Sequence, residues 1–141
     1  RKEICSLVDV TQTMVDAAGA ETPGDWNGQS LSTYLDDPKA SAPGFAVSEY
    51  YAHNIASGFA MLRSGDYKYV YHTQMSEEHG PERELYNLSE DPGEFHNLTQ
   101  SPQQKERIET MHTKLGSELG RDPDETERIC RADYKKGYDR G

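Results

Sequence analysis

The segment from Phe59 to His72 limits the fold of this chain more than any other. Phe59-Ala-Met-Leu-Arg63 and Tyr67-Lys-Tyr-Val-Tyr-His72 are both rich in residues that suit a pleated strand, and Ser64-Gly65-Asp66 between them is a short turn. The two runs are therefore predicted to pair as an antiparallel hairpin. Period-two alternation puts Tyr67, Tyr69 and Tyr71 on one face of the returning strand and Lys68, Val70 and His72 on the other. Three aromatic side chains on one face need a cover, and a helix predicted over 102–119 supplies it. Ser101-Pro102-Gln103-Gln104 combines an N-cap serine, proline at the first helical position and glutamine at the third. Ile108, Met111, Leu115 and Leu119 then form an apolar stripe, and Gly120 stops the helix.

Two further strands extend the hairpin. Phe45-Ala-Val-Ser-Glu-Tyr-Tyr51 alternates with period two, and Glu84-Leu-Tyr-Asn87 reads as a short edge strand stopped by Asp91-Pro-Gly93. The expected class is α+β: an antiparallel sheet of about four strands covered by a C-terminal helix. A helical lead-in comes first. Ser6 and Asp9 nearly match a capping box, Leu7, Val10, Met14 and Ala18 share one helical face, and Gly19 ends the helix. Ala20 to Asn27 is rich in turn residues, Leu31, Tyr34 and Leu35 mark a short second helix, and Asp36 to Gly44 reads as a linker. The expected organisation is a lead-in and linker over 1–43, a sheet-and-helix subdomain over 44–120, and a charged tail over 121–141. The tail has only Ile129, Cys130 and Tyr134 to bury, and reads as a short helix or a segment docked on a partner.

Composition narrows the function classes. A formal charge of −10 argues against nucleic acid or anionic lipid as partners, because both require clustered cations. Mean hydropathy of −0.95 implies a lean core, with some apolar surface reserved for other sequence. No apolar run approaches the roughly 20 residues that span a bilayer, and the first residues contain no signal-peptide core. Cys5 and Cys130 lack zinc spacing and read as free thiols, and the histidines at 53, 72, 79, 96 and 112 show no metal-ligand pairing, so no protein-only metal site is expected. There is no GxSxG and no GxxxxGK[ST]. Asp36-Asp37 and Glu77-Glu78 read as solvated loop acids, and the N-x-[ST] triplets at Asn87 and Asn97 as chance matches to the glycosylation pattern. Glu49, Arg63 and Lys68 lie on neighbouring predicted strands, where Glu49 is expected to pair with one of the cations and hold register. No catalytic residue is assigned.

In order along the chain, Ser6-Leu-Val-Asp-Val-Thr-Gln-Thr13 through Asp16-Ala-Ala-Gly19 and then Asn27-Gly-Gln-Ser-Leu31 resemble the lead-out from the large domain of sulfatases in the alkaline phosphatase superfamily. Val47-Ser-Glu-Tyr50, Ala60-Met-Leu-Arg-Ser-Gly-Asp-Tyr-Lys-Tyr69, and Glu84-Leu-Tyr-Asn-Leu-Ser-Glu-Asp-Pro-Gly-Glu94 with Asn97-Leu98 resemble the C-terminal subdomain of the same family. Each piece is short, and the specificity lies in their shared order over residues 6 to 98. Thr11-Gln12-Thr13 departs from relatives that place a proline before the threonine, and nothing after Leu119 matches the family.

The resemblance implies a parent enzyme with a large N-terminal α/β domain as this chain's partner. That domain would carry a C/S-x-P-x-R motif matured to formylglycine beside calcium. The implied activity is hydrolysis of sulfate esters, with sulfated carbohydrate as the substrate class. The motif has no counterpart here, since Cys5 is followed by Ser-Leu-Val-Asp and Cys130 by Arg-Ala-Asp, so this chain alone is expected to be inactive. A phosphodiesterase or phosphonate monoester hydrolase of the same superfamily is the alternative parent, and a free-standing, non-catalytic interaction domain is the alternative outside enzymes. No address is written in the sequence, and family analogy admits a periplasmic or extracellular one. In the family architecture the connection leaving the Ser-Glu-Tyr strand returns toward the large domain. Here it is Ala52-His53-Asn54-Ile55, and His53 and Asn54 are the candidate substrate-binding residues, since each can donate and accept toward sugar hydroxyls or a sulfate oxygen. The competing reading is a loop in which both side chains satisfy nearby backbone groups.

Overall fold

The computed structural model describes residues 3–37, 39–51, 55–74 and 76–137. Two compact units divide the chain, one over residues 1–46 and the other over 47–141.

In the first unit, α1 spans Leu7–Ala17 and α2 spans Thr33–Asp36. Ser6 is the N-cap of α1, and its N–H donates to Asp9 Oδ2 at 2.7 Å, the reciprocal half of a capping box. Gly19 adopts the left-handed conformation (φ +67°) that stops the helix. The polar side of α1 then holds the chain that follows. Asp9 Oδ1 accepts from the Gln29 N–H at 2.9 Å and Thr13 Oγ1 from the Leu31 N–H at 2.8 Å, while Asp16 Oδ2 accepts from the Ser30 and Ser32 hydroxyls, each at 2.7 Å. These contacts need the strap to lie close. A Cβ built on Gly28 would stand 2.3 Å from the Val8 carbonyl oxygen, so only glycine fits there. Hydrogen bonds from Ser32 and then Ser30 hold the Asp16 carboxyl below its usual range. Leu7, Met14 and Leu35 remain largely exposed.

The second unit is built around a four-stranded sheet in the order β1-β2-β3-β4, with β1 Phe45–Tyr50, β2 Phe59–Ser64, β3 Tyr67–His72 and β4 Glu82–Asn87. β2 and β3 pair antiparallel with Leu62 opposite Tyr69, and Gly65 takes the left-handed turn position (φ +54°) between them. β3 and β4 pair antiparallel with Tyr69 opposite Leu85. The edge strand thus begins two residues before its predicted start, because Glu82 and Arg83 continue the ladder opposite His72 and Tyr71. Asn97 secures this edge: its Oδ1 accepts from the Leu85 N–H at 3.1 Å and its Nδ2 donates to the Arg83 carbonyl at 3.2 Å.

After two single 3-10 turns at Leu98–Gln100 and Pro102–Gln104, α3 runs Lys105–Leu119 and packs on β2 and β3. Ile108, Met111 and Leu115 are buried from the helix side, and Ala60, Leu62, Tyr69, Tyr71 and Leu85 from the sheet. Burying a leucine of this kind is worth about 1.5–3 kcal/mol, so Leu62, Leu85 and Leu115 anchor the core. The tyrosine face is covered as its alternation predicts. Tyr69 donates to or accepts from His112 Nδ1 at 3.0 Å, and the Arg107 guanidinium lies 3.9 Å from the Tyr67 ring centroid.

The segment read as either helix or tail is a helix. Gly120 closes α3 at φ +64°, and α4 spans Pro123–Lys136. Asp122 caps it by accepting from the Asp124 N–H, Pro123 occupies the first turn, and Lys135 and Lys136 sit at the negative end of the dipole. α4 buries Pro123 and Glu127 in place of a long apolar stripe.

Candidate functional site

The connection between β1 and β2 collects the buried charge of the second unit. Alternation along β1 directs Tyr50 toward Phe59, with ring centroids 6.1 Å apart, and directs Glu49 and Tyr51 to the opposite face, where α4 lies. Glu49 forms an ion pair with Arg121 at the α3–α4 turn. Glu127 of α4 is 4 % exposed, and its Oε1 is 2.5 Å from Nε of Arg131, one helical turn on. The Arg131 guanidinium also donates from NH2 to the carbonyls of Ile55, at 3.2 Å, and Ala56, at 2.7 Å. Gly58 fits between both flanks: a Cβ there would stand 2.3 Å from Glu127 Oε2 and 2.3 Å from Tyr51 Cδ1. The Gly58 carbonyl accepts from the Thr73 N–H at 2.9 Å and the Thr73 hydroxyl at 3.1 Å, and Thr73 is fully buried. Among the described residues Glu49 Oε2, Glu127 Oε2 and the Tyr51 hydroxyl are buried without a hydrogen-bond partner. Burial, and then the Glu49 carboxylate beside it, push the Tyr51 phenol above its ordinary range, so it is a neutral donor at physiological pH. Each carboxylate already faces a guanidinium, an arrangement suited to holding backbone in place.

A second polar group lies farther along the same face. The Tyr71 hydroxyl donates to Asp124 Oδ2 at 2.6 Å, and Asp124 Oδ1 accepts from the Gln74 N–H at 3.0 Å. Tyr71 and Asp124, with His112, Leu115, Arg121 and Asp122, border a cleft of about 350 Å³. Burial lowers the pKa of His112, with the Arg83 charge adding to the effect, so the imidazole is neutral near pH 7. Burial also pushes the Tyr69 phenol up to about 12.

His53 and Asn54, the candidate substrate-binding residues, lie outside the described residues. The expected pairing of Glu49 with Arg63 or Lys68 is overturned. Glu49 faces α4, whereas Arg63 and Lys68 oppose each other on the other face of the sheet, and Lys68 pairs with Glu94 at 2.5 Å. Sequence reasoning missed Arg121, Glu127 and Arg131; the Asp122-Pro123 helix start was the available signal. Asn87 and Asn97 both spend their side chains locally, Asn87 on the Ser89 N–H and hydroxyl. Cys5 and Cys130 are free thiols. Among the described residues no group of three or more His, Cys, Asp or Glu is arranged to hold a metal ion, and neither cysteine stands in C/S-x-P-x-R. The described residues therefore do not fit the calcium and formylglycine of sulfatases.

Residues 1–125 match the family model of the N-sulphoglucosamine sulphohydrolase C-terminal region. Arylsulfatase K of Mus musculus is 32% identical over 102 residues, which is 67% of this chain and 18% of that protein. A solved structure described as a 2-O GAG sulfatase superimposes with a TM-score of 0.60 at 28% identity, covering 92% of this chain and 26% of its own. The phosphonate monoester hydrolase of Agrobacterium radiobacter superimposes with a TM-score of 0.66 at 22% identity, covering 83% of this chain and 24% of its own, which is a likeness of fold. The chain thus spans about a quarter or less of each of these proteins. It carries, in order, the capped lead-in helix, its glycine strap, the tyrosine hairpin and the covering helix, and it belongs to the sulfatase family as a C-terminal portion.

Proposed function

We propose that this chain is the C-terminal part of an enzyme that hydrolyses sulfate esters on carbohydrate. Sequence outside this chain supplies the large domain, the formylglycine and the calcium, and the chain alone is inactive. The observation that carries this reading is the mismatch in length, since the match to a 32% identical arylsulfatase covers 67% of this chain and only 18% of that protein. The exposed Leu7, Met14 and Leu35 fit a unit whose apolar surface belongs against further sequence. The 2-O GAG sulfatase at 28% identity supports sulfated carbohydrate as the substrate class.

Within that reading, the Ala52–Ile55 connection contributes His53 and Asn54 to the substrate cleft. Support comes from its flanks, where Tyr51 and Gly58 are held against a buried carboxylate. The test is kinetic. His53→Ala and Asn54→Ala in the full-length protein should each lower kcat/KM on a sulfated oligosaccharide by about tenfold or more while leaving the melting temperature in place. Unchanged kcat/KM in both variants removes the connection from the cleft.

A second reading, in which the parent cleaves phosphonate or phosphate esters, is compatible with the fold shared with a phosphonate monoester hydrolase. Parallel assays of the full-length protein on an aryl sulfate and an aryl phosphonate separate the two.

A further inference from the structure

Among the described residues four arginines face carboxylates: Arg83 pairs with Glu109, Arg121 with Glu49, Arg128 with Glu125 and Arg131 with Glu127. Arg107 lies over the Tyr67 ring. Arg63 has neither kind of partner among the described residues, and its Nη1 is buried without a hydrogen bond. In a chain of formal charge −10, an arginine without an acid calls for one from elsewhere. We propose that the face of the sheet opposite α3 is the surface on which the parent's large domain docks, with a carboxylate of that domain on Arg63 and Phe95 covered at the border. This inference rests on the reading that sequence outside this chain supplies such a domain.

Both α3 and α4 lie on the Tyr69 side of the sheet, where His112 meets Tyr69 and Asp124 meets Tyr71. Alternation turns Met61, Arg63, Lys68 and Val70 to the other side. There Arg63 and Lys68 stand opposite each other across β2 and β3, a pairing of like charges that weakens a ladder. Glu94 neutralises Lys68 at 2.5 Å, and the Arg63 charge stays unmatched. Arg63 is half-buried, so its stem is packed while its planar fork remains reachable by a carboxylate.

The border of this face carries a second anchor. Glu94 is a non-glycine residue in the left-handed region (φ +56°), and its ion pair with Lys68 offsets that strain. The pair fixes the turn that presents Phe95, whose ring lies so close to Gly93 that any Cβ there would collide with it. Phe95 is nonetheless 83% exposed. Tyr50, beside Phe59 on the same face, is exposed as well. A fixed arginine flanked by exposed aromatic rings is the composition of an interface centre. The match takes up 18% of arylsulfatase K and 26% of the 2-O GAG sulfatase, so most of each relative lies outside it. A domain joined to this chain meets the face at an effective concentration of about a millimolar, ahead of free partners. A second copy would instead bring another charge of −10.

The experiment uses the full-length protein. Arg63→Lys puts an amine in place of the guanidinium, and a zero-length carbodiimide joins that amine to the carboxylate in contact with it. Peptide mass spectrometry then identifies the partner, with the Lys68–Glu94 pair as internal control. Coupling to an acidic residue outside this chain is expected, in a product that stays monomeric and at a yield unchanged by added sulfated oligosaccharide. No coupling, coupling only to acids of this chain, or an intermolecular product overturns the docking surface. Loss of coupling on adding the oligosaccharide overturns it too, and assigns Arg63 to the substrate. In the unaltered protein, hydroxyl radicals should modify Phe95 at about a tenth of the rate seen after unfolding in urea, because a docked ring is shielded from water. Equal rates overturn the proposal, and this measurement stands even if Arg63→Lys fails to fold. Assays of the same preparation on an aryl sulfate and an aryl phosphonate separate the inference from the reading beneath it. Turnover with an open Phe95 and no outside cross-link removes the docking surface and leaves the enzyme. A shielded Phe95 with the outside cross-link, in a protein inert on both esters, leaves the surface and removes the hydrolase.

Discussion

The Tyr71 hydroxyl and Asp124 Oδ2 stand 2.6 Å apart, so a residue in the middle of the sheet is tied to a residue 53 positions later in the first turn of α4. Asp124 also accepts from the Gln74 N–H, and its place in the first turn of α4 puts its charge at the positive end of the helix dipole. Tyr71→Phe is therefore expected to cost about 1.5 kcal/mol, the low end for a bond to a charged group, because Asp124 keeps a backbone donor and some solvent. Urea unfolding read by circular dichroism checks the magnitude, and faster exchange of the first α4 amides checks the place.

Gly58→Ala should be far more damaging than a methyl group suggests. Its Cβ would meet both Glu127 Oε2 and Tyr51 Cδ1 at 2.3 Å, and neither can retreat without exposing a buried charge or opening the end of β1. A loss of about 2–3 kcal/mol is expected, as for overpacking of a filled site, and denaturant unfolding measures it.

The Tyr69–His112 pair sets both edges of a pH window. Burial, reinforced by Arg83 and opposed by Glu109, Asp124 and Asp122, lowers the folded pKa of His112 below its unfolded value. The folded state then binds fewer protons than the unfolded one, so the stability is present above about pH 6.5 and is lost as pH falls from there through the folded pKa. Tyr69 works in the other direction. Its folded pKa of about 12 exceeds the unfolded one, so its contribution is present below about pH 10 and is lost as pH rises toward 12. Melting temperatures from pH 5 to 8 should fall on the acid side, and His112→Gln should flatten that slope.

Assayed alone, the chain should turn over no aryl sulfate with or without added calcium. Calcium-dependent release of the aryl alcohol from a pure preparation would place catalytic groups within these residues.

Much of this fold can be read from sequence, because the informative signals are local. The Ser64-Gly65-Asp66 turn and the alternation of Tyr67, Tyr69 and Tyr71 determine strand register and the face that α3 covers, and both turned out as expected. Ser6 and Asp9 mark the start of α1 in the same way. What escaped depended on contacts between segments far apart. Glu49 could be matched to Arg63 or Lys68 on adjacent strands, yet its pleat direction turns it to Arg121, a residue 72 positions away. α4 lacked the apolar stripe by which helices are recognised, since it buries a glutamate and a proline. Nothing local to Asp9, Thr13 and Asp16 marks them as partners of a distant segment, and only the course of residues 28–32 reveals them as acceptors.

That last arrangement determines which changes of length the lead-in tolerates. The three acceptors lie on one side of α1 at intervals of four and three residues, matched to a strap whose donors are spaced along an extended backbone. An extra residue in the turns between Ala20 and Asn27 alters neither partner. One inserted between Asp9 and Asp16 rotates the acceptors on either side of it by about 100° relative to each other, because that is the angular step of a helix. The strap could then follow one end of α1 or the other, but not both. Among relatives of this chain, insertions should accumulate before the glycine and be missing from the helix, a pattern that can be counted in any set of aligned sequences.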